Sequence, residues 1–165
     1  MERLRSFNRT LDHVVQKLLA CLFGGMIVVV FLQVFARNVL EVPLIWTLDL
    51  AQLLFSWAIF IGAALALRWN AHYNLDLIPK SWKVVDALLT IICHLGSIAV
   101  VALLVYNGAI FADIGLTRTA VSLGISEFWF FLPIPIGGVC MALFLAEIVP
   151  TDMAAIRKAL KEDRP

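Results

Sequence analysis

The sequence predicts an all-α integral membrane protein of four transmembrane helices, and three observations carry that expectation. Apolar residues make up 62% of the 165-residue chain, with a mean hydropathy of +0.93, well above the ~45–50% apolar content of a soluble domain. Charged residues are only 15%, too few to cover a water-facing surface. Four apolar stretches, 14–36, 48–67, 84–111 and 128–149, each reach the ~20 residues that carry a helix across the hydrocarbon of a bilayer.

Residues 1–13 precede the first span. Leu4, Phe7, Leu11, Val14 and Leu18 recur at intervals of three and four, with Arg3, Arg5, Arg9 and Asp12 between them. That pattern predicts an N-terminal amphipathic helix lying in the membrane interface before the chain turns inward; the alternative is a plain helical extension of span one. The apolar run is too long for the core of a cleavable signal, so an uncleaved N-terminus is expected. Pro43 punctuates the first loop, and Asp49 opens span two, where the helix dipole favours a carboxylate. Pro79 marks the second loop, Gly115 and Gly124 the third, and Pro150 is expected to close span four ahead of a tail over 150–165. Pro133 and Pro135 fall in the first two turns of span four, where a missing N–H costs least. Gly24 with Gly25, Gly62 with Ala63 and Ala64, and Gly137 with Gly138 offer small surfaces for close helix contact. Short loops predict that consecutive helices are antiparallel neighbours in one membrane domain.

The thirteen Lys and Arg residues are distributed unevenly. Eleven lie at the N-terminal end of span one, between spans two and three, or after span four; the other two loops hold only Arg37 and Arg118. Cytoplasmic segments retain Lys and Arg, so both termini and the middle loop are expected in the cytoplasm. Trp46, Trp69, Trp82 and Trp129 fall at expected span ends, where indoles favour the headgroup layer, while Trp57 falls mid-span as a packing residue. Cys21, Cys93 and Cys140 are isolated and odd in number, which predicts buried free thiols and no disulfide framework.

Ionisable groups inside a span mark functional candidates. His94 sits well within span three; Asp86 and Glu147 lie near span ends, within reach of Lys83 and Arg157. A lone intramembrane His fits a hydrogen-bonded packing role better than a relay, and His13, His72 and His94 are too scattered for a paired-histidine haem site. Catalytic, phosphate-binding and metal-ligand motifs are absent, so neither an enzyme nor a resident cofactor or metal is expected, nor a nucleic-acid partner. The spans also lack the internal repeat and interrupted helices that mark a substrate site in a complete secondary transporter. The densest polar set is Gln33, Arg37, Pro43, Trp46, Asp49, Gln52, Trp57, Gly62, Arg68, His72 and Asp76. Trp46, Asp49 and Gln52 share one drifting face of span two, with Arg37 placed to pair with Asp49 or Glu41. If helix continues past Trp69, Arg68, His72 and Asp76 align at the other end.

This stretch resembles the small membrane subunit, the Q component, of tripartite ATP-independent periplasmic (TRAP) transporters. The residues that carry the resemblance are Leu32-Gln33-Val34, Arg37, Pro43, Trp46 with Asp49, Trp57, Gly62-Ala63, Arg68 and His72, with Asp76 beyond. Thr117, Thr119-Ala120, Leu123-Gly124-Ile125, Pro133 and Gly137-Gly138 extend it. Two positions depart: Asp49 stands where family members commonly carry Glu, and Gln52 near where they carry Arg. The resemblance implies a non-catalytic subunit of a sodium-coupled importer of an organic acid, of sialic acid or dicarboxylate type. Its implied partners are a large membrane transport subunit, a periplasmic substrate-binding protein and membrane lipids. It implies a scaffolding role for Arg37, Trp46, Asp49, Trp57, Arg68, His72 and Asp76, and a docking face for the binding protein around 37–46 and 113–127, with Asp113, Arg118 and Glu127 as polar contacts. Two other classes compete: a membrane oxidoreductase or haem/quinone subunit, resting on four spans and His94, and a homodimeric exporter, which needs a central membrane carboxylate.

Overall fold

A computed structural model describes residues 2–69 and 83–162. Its elements are α1 (Glu2–Asn38), α2 (Trp46–Arg68), α3 (Lys83–Leu116), β1 (Thr119–Ala120), β2 (Ile125–Ser126), α4 (Phe128–Phe131) and α5 (Pro133–Glu162). Four helical segments are long and apolar enough to cross a membrane: Phe7–Asn38, Trp46–Arg68, Ala87–Leu116 and Phe128–Ala154. The chain is therefore an all-α membrane protein with four spans. β1 and β2 form a two-stranded antiparallel hairpin pairing Thr119 with Ser126 and Ala120 with Ile125.

The helices are arranged as a layer. α1 packs on α2, α2 on α5, and α5 on α3. This corrects the expectation that consecutive helices are neighbours: α3 lies against α5 rather than along α2, leaving a groove of about 520 Å³ between α2 and α3 with Met141 in its lining. The core sits around α5, where Phe144 and Ala64 are fully buried among Leu67, Val101, Met141 and Leu145. A second cluster of Val15, Ile61 and Leu65 joins α1 to α2.

Small residues permit this packing. A Cβ on Gly137 would stand 2.8 Å from Phe60 Cβ on α2, and one on Gly138 would stand 2.9 Å from Val105 Cγ2 on α3. A Cβ on Gly108 would meet Pro135 N at 2.8 Å. So α5 is held close to both neighbours, as the Gly137–Gly138 pair led one to expect. Gly24 behaves otherwise: nothing lies within 4 Å of its would-be Cβ.

Several helix ends differ from the sequence expectation. α1 runs unbroken from Glu2 to Asn38, so residues 2–13 continue span one as a helical extension and do not turn away from it. Just past its end Val42 N donates to Ala36 O, six residues back, at 3.1 Å, and Glu41 sits at φ 55, a left-handed conformation usually given to Gly. α3 continues past 111 to Leu116, placing Gly115 in its last turn, where a Cβ would meet Phe128 N at 2.7 Å. Pro150 lies inside α5, which continues to Glu162. Gly124 does occupy the hairpin turn, at φ +66. No disulfide joins the three cysteines, and two are exposed rather than buried: Cys21 on α1 and Cys93 on the wall of the α2–α3 groove.

A bulky side chain at 137 must push α2 away from α5. Gly137→Leu is expected to lower unfolding stability by about 1–3 kcal/mol, the usual penalty of overpacking, while Gly24→Ala leaves it unchanged. Thermal unfolding of the purified variants in one detergent checks both, and equal midpoints for the two would refute the packing assigned to Gly137.

Candidate functional site

Two polar assemblies stand at opposite ends of the layer. At the end carrying the β hairpin, α2 begins without a side-chain cap, and Thr47 Oγ1 donates back to Leu44 O at 2.5 Å. Trp46, Asp49 and Gln52 then face a groove of about 820 Å³, whose other wall is Ala120, Val121, Ser122 and Glu127. Ser122 Oγ donates to Asp49 Oδ2, tying the hairpin loop to the first turn of α2. The hairpin is braced from below: Ser126 Oγ donates to Gly115 O at 2.8 Å, and Glu127 N donates to Arg118 O at 3.0 Å. Val121, at its tip, is 96% exposed.

Just inside this end, the helix breaks between α4 and α5. Pro133 has no N–H to offer Trp129 O, and Pro135 none to offer Phe131 O. Trp57 Nε1 donates to Trp129 O at 3.1 Å and Ser56 Oγ to Phe130 O at 2.7 Å. Neighbouring side chains thus satisfy carbonyls that a break would leave bare in hydrocarbon. Trp57 is more than a packing residue, and Ser56 escaped notice; a Ser-Trp pair facing a Pro-x-Pro step was the available signal.

At the opposite end, Arg68 closes α2. Its Nη1 lies 2.6 Å from Glu147 Oε2 on α5, and its guanidinium stacks 5.3 Å from the centroid of buried Phe144. Asn8 on α1, fully buried, donates Nδ2 to Glu147 Oε2 at 2.7 Å and to Leu143 O at 3.1 Å. Three helices meet at one carboxylate. Glu147 therefore pairs with Arg68, not with Arg157 as its sequence neighbourhood suggested. Nearby, His94 on α3, 3% exposed, places Nε2 3.1 Å from Asp152 Oδ2 on α5. Asp152 escaped notice because Pro150 was expected to end the span; Asn8 escaped notice because it interrupts an otherwise apolar register.

The expected site residues separate accordingly. The structure brings Trp46, Asp49 and Gln52 together in the hairpin-end groove, with Glu127 across from them. Asp113 and Arg118 are exposed at the same end. Arg37 is also exposed there, and among the described residues it forms no ion pair with Asp49 or Glu41. Trp57 bridges α2 to α4, and Arg68 bridges α2 to α5. His72 and Asp76 lie outside the described residues, as does the side chain of Asp86. Among the described residues no cluster of three His, Cys, Asp or Glu is placed to hold a metal ion.

If Glu147 joins Arg68 and Asn8 as described, Arg68→Gln and Glu147→Gln share one interaction. Each single variant is expected to lower stability, and the double variant to fall short of their sum by about 0.5–3 kcal/mol. A double-mutant cycle by denaturant unfolding in detergent measures that coupling; strict additivity would exclude the ion pair.

Comparison with known proteins places these features. Residues 26–153 match the family described as "Tripartite ATP-independent periplasmic transporters, DctQ component". The chain is 27% identical over 146 residues to the sialic acid TRAP transporter small permease protein SiaQ of Vibrio cholerae, covering 84% of this chain and 80% of that protein. It is 28% identical over 124 residues to the sialic acid TRAP transporter permease protein SiaT of Haemophilus influenzae, covering 73% of this chain but 20% of that longer protein.

Proposed function

This chain belongs to the DctQ-component family of tripartite ATP-independent periplasmic transporters, and from that membership we propose that it is the non-catalytic small permease subunit of a sodium-coupled organic-acid importer. The observation that carries the reading is the family match across residues 26–153. The Haemophilus influenzae permease adds to it: a stretch similar to this chain occupies about a fifth of one much longer permease protein, which favours a large membrane partner at this chain's side. Both curated relatives are named for sialic acid, so sialic acids head the candidate substrates, with dicarboxylates next. Neither relative supports the haem or quinone alternative.

The chain sits in a bacterial inner membrane as a multi-pass protein, with both termini in the cytoplasm. Eleven of thirteen Lys and Arg residues fall on the side of the termini and the middle loop, which supports that orientation. The hairpin end then faces the periplasm, toward the substrate-binding protein. Its groove and the exposed Arg37, Asp113 and Arg118 form a polar rim suited to steering a soluble partner. The apolar outer faces of the layer supply the scaffold against which the large subunit is held. Arg68, Asn8 and Glu147 support it from the cytoplasmic side by fixing α1, α2 and α5 to one another.

Expressed with its neighbouring genes and extracted in mild detergent, the tagged chain is expected to bring down a much larger polytopic partner in stoichiometric amount. A stable, solitary chain that transports alone would overturn the subunit reading. Within the assembled transporter, Arg118→Glu is expected to slow association of the binding protein roughly ten-fold at low salt while leaving dissociation nearly unchanged. Surface-immobilised transporter and flowing binding protein measure both rates; unchanged association would remove Arg118 from the docking face.

A further inference from the structure

α1 is too long for the bilayer it crosses. Its 37 residues span about 55 Å at ~1.5 Å per residue, against ~30 Å of hydrocarbon. Counted back from Arg37, the ~20 residues that cross the hydrocarbon reach Leu18. Lys17 and His13 then stand in the headgroup layer and Arg9 at its outer limit, and helix tilt draws all three closer to it.

These three residues recur every fourth position, so at ~100° per residue they follow one another along a single drifting face. The opposite face is committed to the protein, with Asn8 and Val15 buried and Leu11 and Leu19 packed on the core. Arg9, His13 and Lys17 are all exposed, and none has an ion-pair or hydrogen-bond partner among the described residues. The nearest carboxylate on the same helix, Asp12, is half-buried and accepts Gln16 Nε2 at 3.2 Å. Beside the basic face run Phe7, Val14 and Leu18, also exposed. A cationic stripe next to an apolar one, at headgroup depth, matches a phosphate over an acyl chain.

We propose that this face of α1 binds anionic phospholipid, with Arg9 and Lys17 holding the phosphate, His13 donating a hydrogen bond between them, and Val14 and Leu18 covering the start of the acyl chain. The inference is independent of the substrate and of the partners proposed above.

The full-length chain, reconstituted in nanodiscs of phosphatidylcholine with graded phosphatidylglycerol, provides the test. Spin-labelled phosphatidylglycerol is expected to be held preferentially at the protein surface by the wild type. Each removed charge weakens that preference roughly five-fold, so R9Q/K17Q loses about thirty-fold; His13→Gln produces a smaller loss. Circular dichroism confirms that the variants stay helical, and Cys21→Ser serves as a neutral control on the same helix. Equal phosphatidylglycerol preference in wild type and R9Q/K17Q would overturn the proposal. So would a variant that keeps the lipid preference but no longer co-purifies with a membrane partner, since the face would then be a protein interface.

Discussion

The constraint on which the rest of this structure depends is that a backbone in hydrocarbon must find every hydrogen-bond partner within the protein. Most of the chain meets it with its own helical bonds. The step between α4 and α5 does not, because Pro133 and Pro135 bring no N–H and the helix breaks at Leu132. Trp57 on α2 supplies the donor that Pro133 lacks, reaching Trp129 O, and Ser56 beside it reaches Phe130 O. That requirement fixes the height of α2 against α5 to within a hydrogen bond. Gly137 makes the approach possible, since any Cβ there would strike the Phe60 backbone. The break, the two donors and the glycine form one device.

The same logic governs the other end, with charge in place of backbone. Arg68 and Glu147 are each mostly shielded from solvent, and a half-buried ion is tolerated only with its partner in place. Asn8 draws α1 to the same carboxylate, and His94 with Asp152 holds α3 to the extension of α5. α5 is thus fastened to its neighbours near both membrane surfaces, and the layer α1–α2–α5–α3 follows. In lipid, where apolar packing alone offers little drive for helices to associate, such polar fastenings and small-residue contacts set the arrangement.

The fold class was legible because a spanning helix has an unmistakable length and composition, and those survive any rearrangement of neighbours. Helix order was not legible: loop length says which helices can be adjacent, not which pair best satisfies the carbonyls around Leu132. Pro150 misled because proline usually ends helices, yet here the helix continues, with Thr151 Oγ1 donating to Glu147 O at 2.8 Å. At the hairpin end, the three-residue spacing of Trp46, Asp49 and Gln52 correctly announced a shared face, but the serine that meets Asp49 is 73 positions away. The partner of Arg68 was equally remote, and sequence proximity favoured Arg157 for Glu147. Local periodicity reveals faces; only the folded chain reveals what each face meets.

A broken helix in a membrane protein commonly exposes carbonyls that coordinate a transported ion, so the step at Leu132 invites the thought of a transport site. Its geometry argues otherwise. The carbonyls of Trp129 and Phe130 already accept an indole N–H and a serine hydroxyl, and releasing them would cost two donors on α2 their partners, at about 0.5–1.5 kcal/mol each. An ion would compete with these donors for the two oxygens, while Gly137 holds α2 close against α5 at Phe60. The break therefore joins helices. Such a layer, fastened at both ends and with the break at Leu132 spent on internal cohesion, suits the scaffolding role proposed above.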